Sequence, residues 1–151
     1  MFPAIAIAAH VIAAAVWTGG MFFAYVVLRP TLTAQPPEIR LPVWAGVFRR
    51  FFPWVWVIIL TLLLSGYGLI FLVFGGFATT PAYIHLMQLL GLVMMVAFVY
   101  LYYVPYPLFR RAVDAGDWPA AGAALNRIRH IILVNLVLAL LTVAIATAGR
   151  Y

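Results

Sequence analysis

Residues 51 to 109 contain no Asp, Glu, Lys or Arg, and neither do residues 1 to 28. A helix of about 20 apolar residues crosses the roughly 30 Å hydrocarbon core of a bilayer. The first of these stretches is long enough for two such helices and the second for one. A soluble fold needs charge to cover its surface, yet charged residues make up 8% of this chain, against roughly 25% in an average soluble domain. That shortage excludes a water-soluble enzyme, a disordered tail and a cytosolic nucleic-acid binder. The sequence predicts an integral membrane protein.

Four spans follow. Positions 4–28 read as the first, and residues 51–74 and 82–105 as the second and third. The run Gly75-Gly76-Phe77-Ala78-Thr79-Thr80-Pro81 forms the turn between those two. The fourth runs from about 130 to 148 and stops at Gly149-Arg150. No segment alternates apolar and polar residues as a membrane β-barrel requires. The expected fold is all-α, a four-helix bundle forming one transmembrane domain over 1–151. The first helix has no basic flank and is longer than a signal-peptide core, so it is expected to stay as a span.

All nine basic residues are Arg, and their placement orients the bundle. Arg29, Arg40, Arg49 and Arg50 follow the first span, and Arg110, Arg111, Arg127 and Arg129 follow the third. Only Arg150 lies at the other end. The positive-inside rule then makes both Arg-bearing connections cytoplasmic and puts both termini on the periplasmic side of a bacterial inner membrane. Within those connections, Asp117-Trp118-Pro119 has the pattern of a helix start. Pro105 and Pro107 should kink or end the third helix. The segment Leu41 to Phe52 suits an interfacial approach to the second span, with Trp44, Phe48, Phe51 and Phe52 at the membrane boundary.

Polar side chains inside hydrocarbon are costly, so each is a candidate for function. Here they are His10, Ser65, His85, Gln88 and Asn135, with His130 at an edge. From the helical rise, His10 lies roughly 9 Å and His85 roughly 6 Å in from the same face, while His130 sits at the opposite one. Two imidazoles at similar depth on different helices suit haem iron, copper or zinc. Met87 is a candidate soft copper ligand, and Trp17 lies on the same helical face as His10. Met94 and Met95 are read first as packing residues. Asn135, Ala139, Thr142 and Ala146 repeat on one face and read as an interhelical hydrogen-bonding seam. Arg49, Arg50, Arg127 and Arg129 mark topology and could also hold an anionic head group or a haem propionate. With no Cys there is no thiolate ligand, and with no carboxylate inside the membrane an acidic proton relay is not expected.

The stretch His10-x6-Trp17-x-Gly19-Gly20-Met21-Phe22-Phe23, closing at Arg29-Pro30, resembles the first helix of copper-resistance D (CopD) family membrane proteins. Arg49-Arg50-Phe51-Phe52-Pro53 and Ser65-Gly66-Tyr67 are similar to that family's second helix. Asn126 to Arg129, Asn135-Leu136 and Gly149-Arg150-Tyr151 resemble the end of its small four-helix members. The resemblance implies copper transport or tolerance at the inner membrane, with His10 as ligand and a periplasmic metal protein as partner. A second likeness, to HemJ-type membrane haem proteins, rests on the four-span layout, the first-helix His and Tyr83-Ile84-His85. Those proteins carry a Lys early in the third helix, where this chain has Met87 and Gln88. That difference argues against the oxidase activity and leaves haem binding open.

Two functional classes and a third fallback result. In the first, a non-enzymatic copper-handling protein binds metal at His10, His85 and Met87. In the second, a haem-b redox protein uses His10 and His85 as axial ligands, with Trp17, Arg49 and Arg127 in the cofactor site and an electron-carrier protein as partner. The third is a non-catalytic membrane scaffold with structural histidines, and a homo-oligomer is an option under any of the three. The lipid bilayer is a partner in all three, and nucleic acid in none.

Overall fold

The computed structural model describes residues 1–149, which form four long helices and no strand. They are α1 (Phe2–Thr33), α2 (Pro37–Leu72), α3 (Ala82–Asp114) and α4 (Trp118–Ala148), each long and apolar enough to cross a membrane. Large apolar side chains such as Ile5, Val11, Trp54, Leu64, Val96 and Leu140 point outward. In a bilayer that surface faces lipid, and close packing between helices holds the bundle together. The protein is an all-α, multi-pass, membrane-spanning bundle.

The helices alternate in direction. Phe2 approaches Gly68, His10 approaches Gly66, and Tyr83 approaches Gly149. Both ends of the described chain therefore lie at the same end of the bundle as the 73–81 connection. That connection turns through Gly75 and Gly76, whose φ angles of 77° and 117° are open to glycine without a Cβ clash. Thr79 and Thr80 close the turn by donating to backbone carbonyls of Phe74 and Gly76.

The connections at the opposite end follow the sequence in part. The third helix breaks at Val104, between Ala82–Tyr103 and Pro105–Asp114, because Pro105 and Pro107 lack the N–H groups that would continue the ladder. The Asp117 side chain accepts from the Ala120 N–H at 3.0 Å, and α4 then runs unbroken to Ala148. The segment from Leu41 to Phe52 departs from expectation. It is part of one continuous helix, Pro37–Leu72, and Trp44, Phe48 and Phe52 are buried at 1%, 1% and 3% exposure. Spaced four apart, they share one face and pack against Phe98, Tyr106 and Phe109 of α3. Each such aromatic pair contributes about 0.5–1.5 kcal/mol beyond area burial. This stripe carries the helix through Pro42 and Pro53. Arg49 and Arg50 remain exposed.

The two halves of the bundle differ. Near the Arg-bearing connections, Phe52 and Trp56 of α2 meet Phe98 and Tyr102 of α3 edge to face. Toward the 73–81 turn the same helices separate, and a cavity opens between them.

Candidate functional site

The cavity has a volume of about 380 Å³ and all four helices line it. From α1 come Ile7, His10, Ala14, Trp17 and Thr18, a single face at helical spacing. Helix α2 contributes Leu62, Gly66 and Tyr67, and α3 contributes Met87, Gln88, Gly91, Met94 and Met95. Ala139, Thr142 and Ala146 of α4 close the wall. The face read as a hydrogen-bonding seam thus divides in two. Asn135 donates across to the Met94 carbonyl at 3.1 Å, while the small residues beyond it make room for the cavity.

His10 is the imidazole of the wall, and it is held by a hydrogen bond. Its Nδ1 lies 2.8 Å from Ser65 Oγ. The Ser65 hydroxyl has one proton, and it points at the Thr61 carbonyl 2.6 Å away, which can only accept. Ser65 Oγ is therefore the acceptor for His10, and the imidazole carries its proton on Nδ1. Nε2 keeps a lone pair with no hydrogen-bond partner among the described residues and is not sealed from its surroundings. A hydrogen bond on one ring nitrogen that sets tautomer and ring direction would leave the other free to hold a metal. Gly66 completes the arrangement. A Cβ there would lie 3.3 Å from His10 Cε1, tight enough to displace the ring.

The other predicted residues separate into three groups. Met87 and Trp17 share the cavity with His10, Trp17 being buried with its edge toward Phe98. His85 is not part of the lining. Its Nε2 donates to the Phe77 carbonyl at 3.2 Å and its ring stacks on Phe77, so it fastens the 73–81 turn to α3. Arg49 and Arg127 are exposed at the opposite end of the bundle. By the rise of about 1.5 Å per residue, Arg49 is about 25 Å along α2 from Gly66, so one ligand of ordinary size does not span both. His130 Nδ1 donates to the Asn126 carbonyl of its own helix at 2.8 Å.

Some cavity residues carried little or no functional signal in the sequence. Ser65 had a signal, as the one serine of an apolar helix, but its partner could not be read. Met94 and Met95 are in the wall beside Met87. Gly91 faces open space, with nothing within 4 Å of a Cβ built on it. Gln88 donates to the Tyr67 hydroxyl at 3.0 Å and ties α3 to α2 across the cavity.

Among the described residues, no three of His, Asp, Glu and Cys come together. The cavity wall bears one imidazole and the thioethers of Met87, Met94 and Met95, beside the neutral oxygen donors of Thr18, Tyr67, Gln88 and Thr142. Imidazole and thioether are donors of the kind copper(I) accepts.

The family model described as Copper resistance protein D matches residues 45–148. The match takes in the cavity walls of α2, α3 and α4, including Gly66 and Met87, together with Ser65 behind the wall, and leaves α1 with His10 outside. No curated protein and no solved structure matches the chain.

Proposed function

The chain belongs to the copper resistance protein D family, and from that premise we propose that its cavity takes copper(I) as a transient cargo at the bacterial inner membrane. His10 Nε2 is the anchoring ligand and Met87, with Met94 or Met95, supplies sulfur. The observation that carries this reading is the chain of hydrogen bonds from His10 through Ser65 to the Thr61 carbonyl, which leaves Nε2 bare in a wall that also bears thioethers. Eight of nine Arg lie in the connections away from the cavity, so the positive-inside rule puts the cavity in the periplasmic half, with both termini on that side. Copper would then be exchanged with a periplasmic metal-carrying protein.

The chemistry asked of the site is capture and release. A neutral imidazole and thioethers lower the cost of bringing a soft monovalent cation into a low-dielectric wall. No carboxylate is near to hold it permanently. His85, engaged with Phe77, acts on the turn and not on the metal.

Haem b is the second reading, favoured by the size and apolar character of the cavity. In that case His10 would be an axial ligand. The two readings separate in one experiment on protein purified in mild detergent. Copper(I) competition with a chromophoric chelator should show one bound equivalent, weakened at least tenfold in His10→Ala and less in Met87→Leu. A Soret band with a reduced α-band, lost in His10→Ala, would overturn the copper reading in favour of haem. Copper affinity unchanged in both variants would overturn His10 and Met87 as ligands.

A further inference from the structure

At the end of the bundle away from the cavity, three arginines from three helices converge. Arg29 ends the apolar part of α1, Arg40 opens α2 and Arg129 lies in α4. Arg29 and Arg40 are close enough that their charges repel Arg129. Arg129 lies over the Trp44 ring, with Cζ 5.5 Å from its centroid, and Arg29 lies over Tyr25 at 4.8 Å. A π-helical turn at Phe23–Leu28 sets the direction of Tyr25 and Arg29 toward this face. Tyr25, Arg29, Trp44 and Arg129 enclose a recess packed too tightly to hold a water molecule.

Among the described residues no carboxylate forms an ion pair with any of the three arginines. The Nε of Arg40, the Nε and Nη2 of Arg129 and the Trp44 Nε1 are buried without a hydrogen-bond partner. Each such donor costs roughly 1–3 kcal/mol, more for a charged group, and like charges brought together add to the cost. The remaining guanidinium nitrogens of Arg40 and Arg129 are not sealed. Both side chains are half-buried, at the end of the bundle where α1 ends and α2 begins.

We propose that Arg29, Arg40 and Arg129 form a binding site for a phosphate group, supplied by the head group of an anionic phospholipid. A phosphodiester on the unsealed nitrogens takes charge-assisted and bidentate hydrogen bonds from planar guanidinium groups. Its charge offsets the mutual repulsion of the three cations, and small rotations of Arg40 and Arg129 bring their sealed N–H groups onto its oxygens. Val26, Val27 and Val43 are exposed nearby and offer an apolar surface to acyl chains. Glu38, two positions from Arg40, forms no ion pair with the cluster, and the cavity lies at the other end of the bundle. The site therefore stands whether or not the copper reading does.

The test uses the full chain in nanodiscs of zwitterionic phosphatidylcholine, with and without phosphatidylglycerol, read by thermal unfolding. Phosphatidylglycerol should raise the midpoint by several degrees. Arg129→Gln should lose more than half of that rise, while Arg50→Gln, which removes the same charge from an exposed position, should keep it. Arg40→Gln gives the same reading if Arg129→Gln does not fold. Inorganic phosphate added to phosphatidylcholine nanodiscs separates the sources. If phosphate alone reproduces the rise, and Arg129→Gln abolishes it, the site stands but its ligand is a free phosphate. An equal response of Arg129→Gln and Arg50→Gln, or no response to either phosphate source, overturns the site.

Discussion

At the scale of single residues, Ser65 decides what His10 can do. A hydroxyl that spends its only proton on the Thr61 carbonyl has just lone pairs left for its neighbour, so it fixes the imidazole as the Nδ1–H tautomer. Without that acceptor the proton can shift to Nε2 and the ring can turn. Loss of such an outer partner typically costs 10–100-fold in metal affinity. Ser65→Ala should accordingly weaken copper(I) binding about 10–100-fold while the protein still folds, and Ser65→Thr should restore most of it. A chelator competition on the three proteins checks this. Equal affinity in wild type and Ser65→Ala would show that Ser65 does not orient the ligand. This pairing was only half legible in the sequence: both residues stood out as polar groups in apolar helices, but the contact joins positions 55 apart in the chain. No local pattern reports a partner at that distance.

Elements were more legible, for a physical reason. The four apolar runs, the break at Pro105 and the cap at Asp117 depend on neighbours within one or two turns, and those neighbours are adjacent in sequence. The Asp117 cap satisfies the Ala120 N–H that would otherwise be an orphan at the start of α4. Asp117→Ala should cost about 1 kcal/mol. It should also speed amide exchange in the first turn of α4 while leaving exchange in the apolar part of that helix unchanged. Hydrogen–deuterium exchange by mass spectrometry resolves the two regions. The start of α2 was harder. Aromatic and Arg residues together suggested a boundary segment, yet Trp44, Phe48 and Phe52 recur every fourth position, and that period marks a buried face. The composition pointed to the interface and the spacing pointed to the core. Spacing prevailed because Phe98, Tyr106 and Phe109 of α3 provide the surface to pack against. A partner surface on another helix is the part a single sequence does not display. The same holds for Arg129, which lies over Trp44 of α2 and shares a recess with Arg29 of α1.

The whole molecule is a bundle with one filled end and one hollow end. Aromatic side chains occupy the space between α2 and α3 where Trp56 meets Phe98 and Tyr102. Beyond them, Gly66, Gly91, Ala139 and Ala146 provide less side chain than the gap requires, and the cavity remains. A cavity of this kind costs packing energy, since its lining loses contacts on one side, so its volume should be separable from the stability of the fold. Gly91 allows the separation. A Cβ at that position meets nothing within 4 Å, and glycine inside a helix is less favourable than alanine by roughly 1 kcal/mol. Gly91→Leu should therefore leave the thermal midpoint unchanged or raised, because the new side chain enters empty space. The same substitution should reduce copper(I) binding at His10 by narrowing the space beside the imidazole. Gly91→Ala should keep the gain in stability with little loss of binding. If Gly91→Leu binds copper as wild type does, the cavity is a packing gap and the ligand site lies elsewhere. If it unfolds, Gly91 is spaced for helix contact and not for a ligand. Loss of binding with stability retained is the outcome that makes the hollow end functional, and it requires the fold to rest on the filled end, where Phe48 and Phe109 are almost completely enclosed.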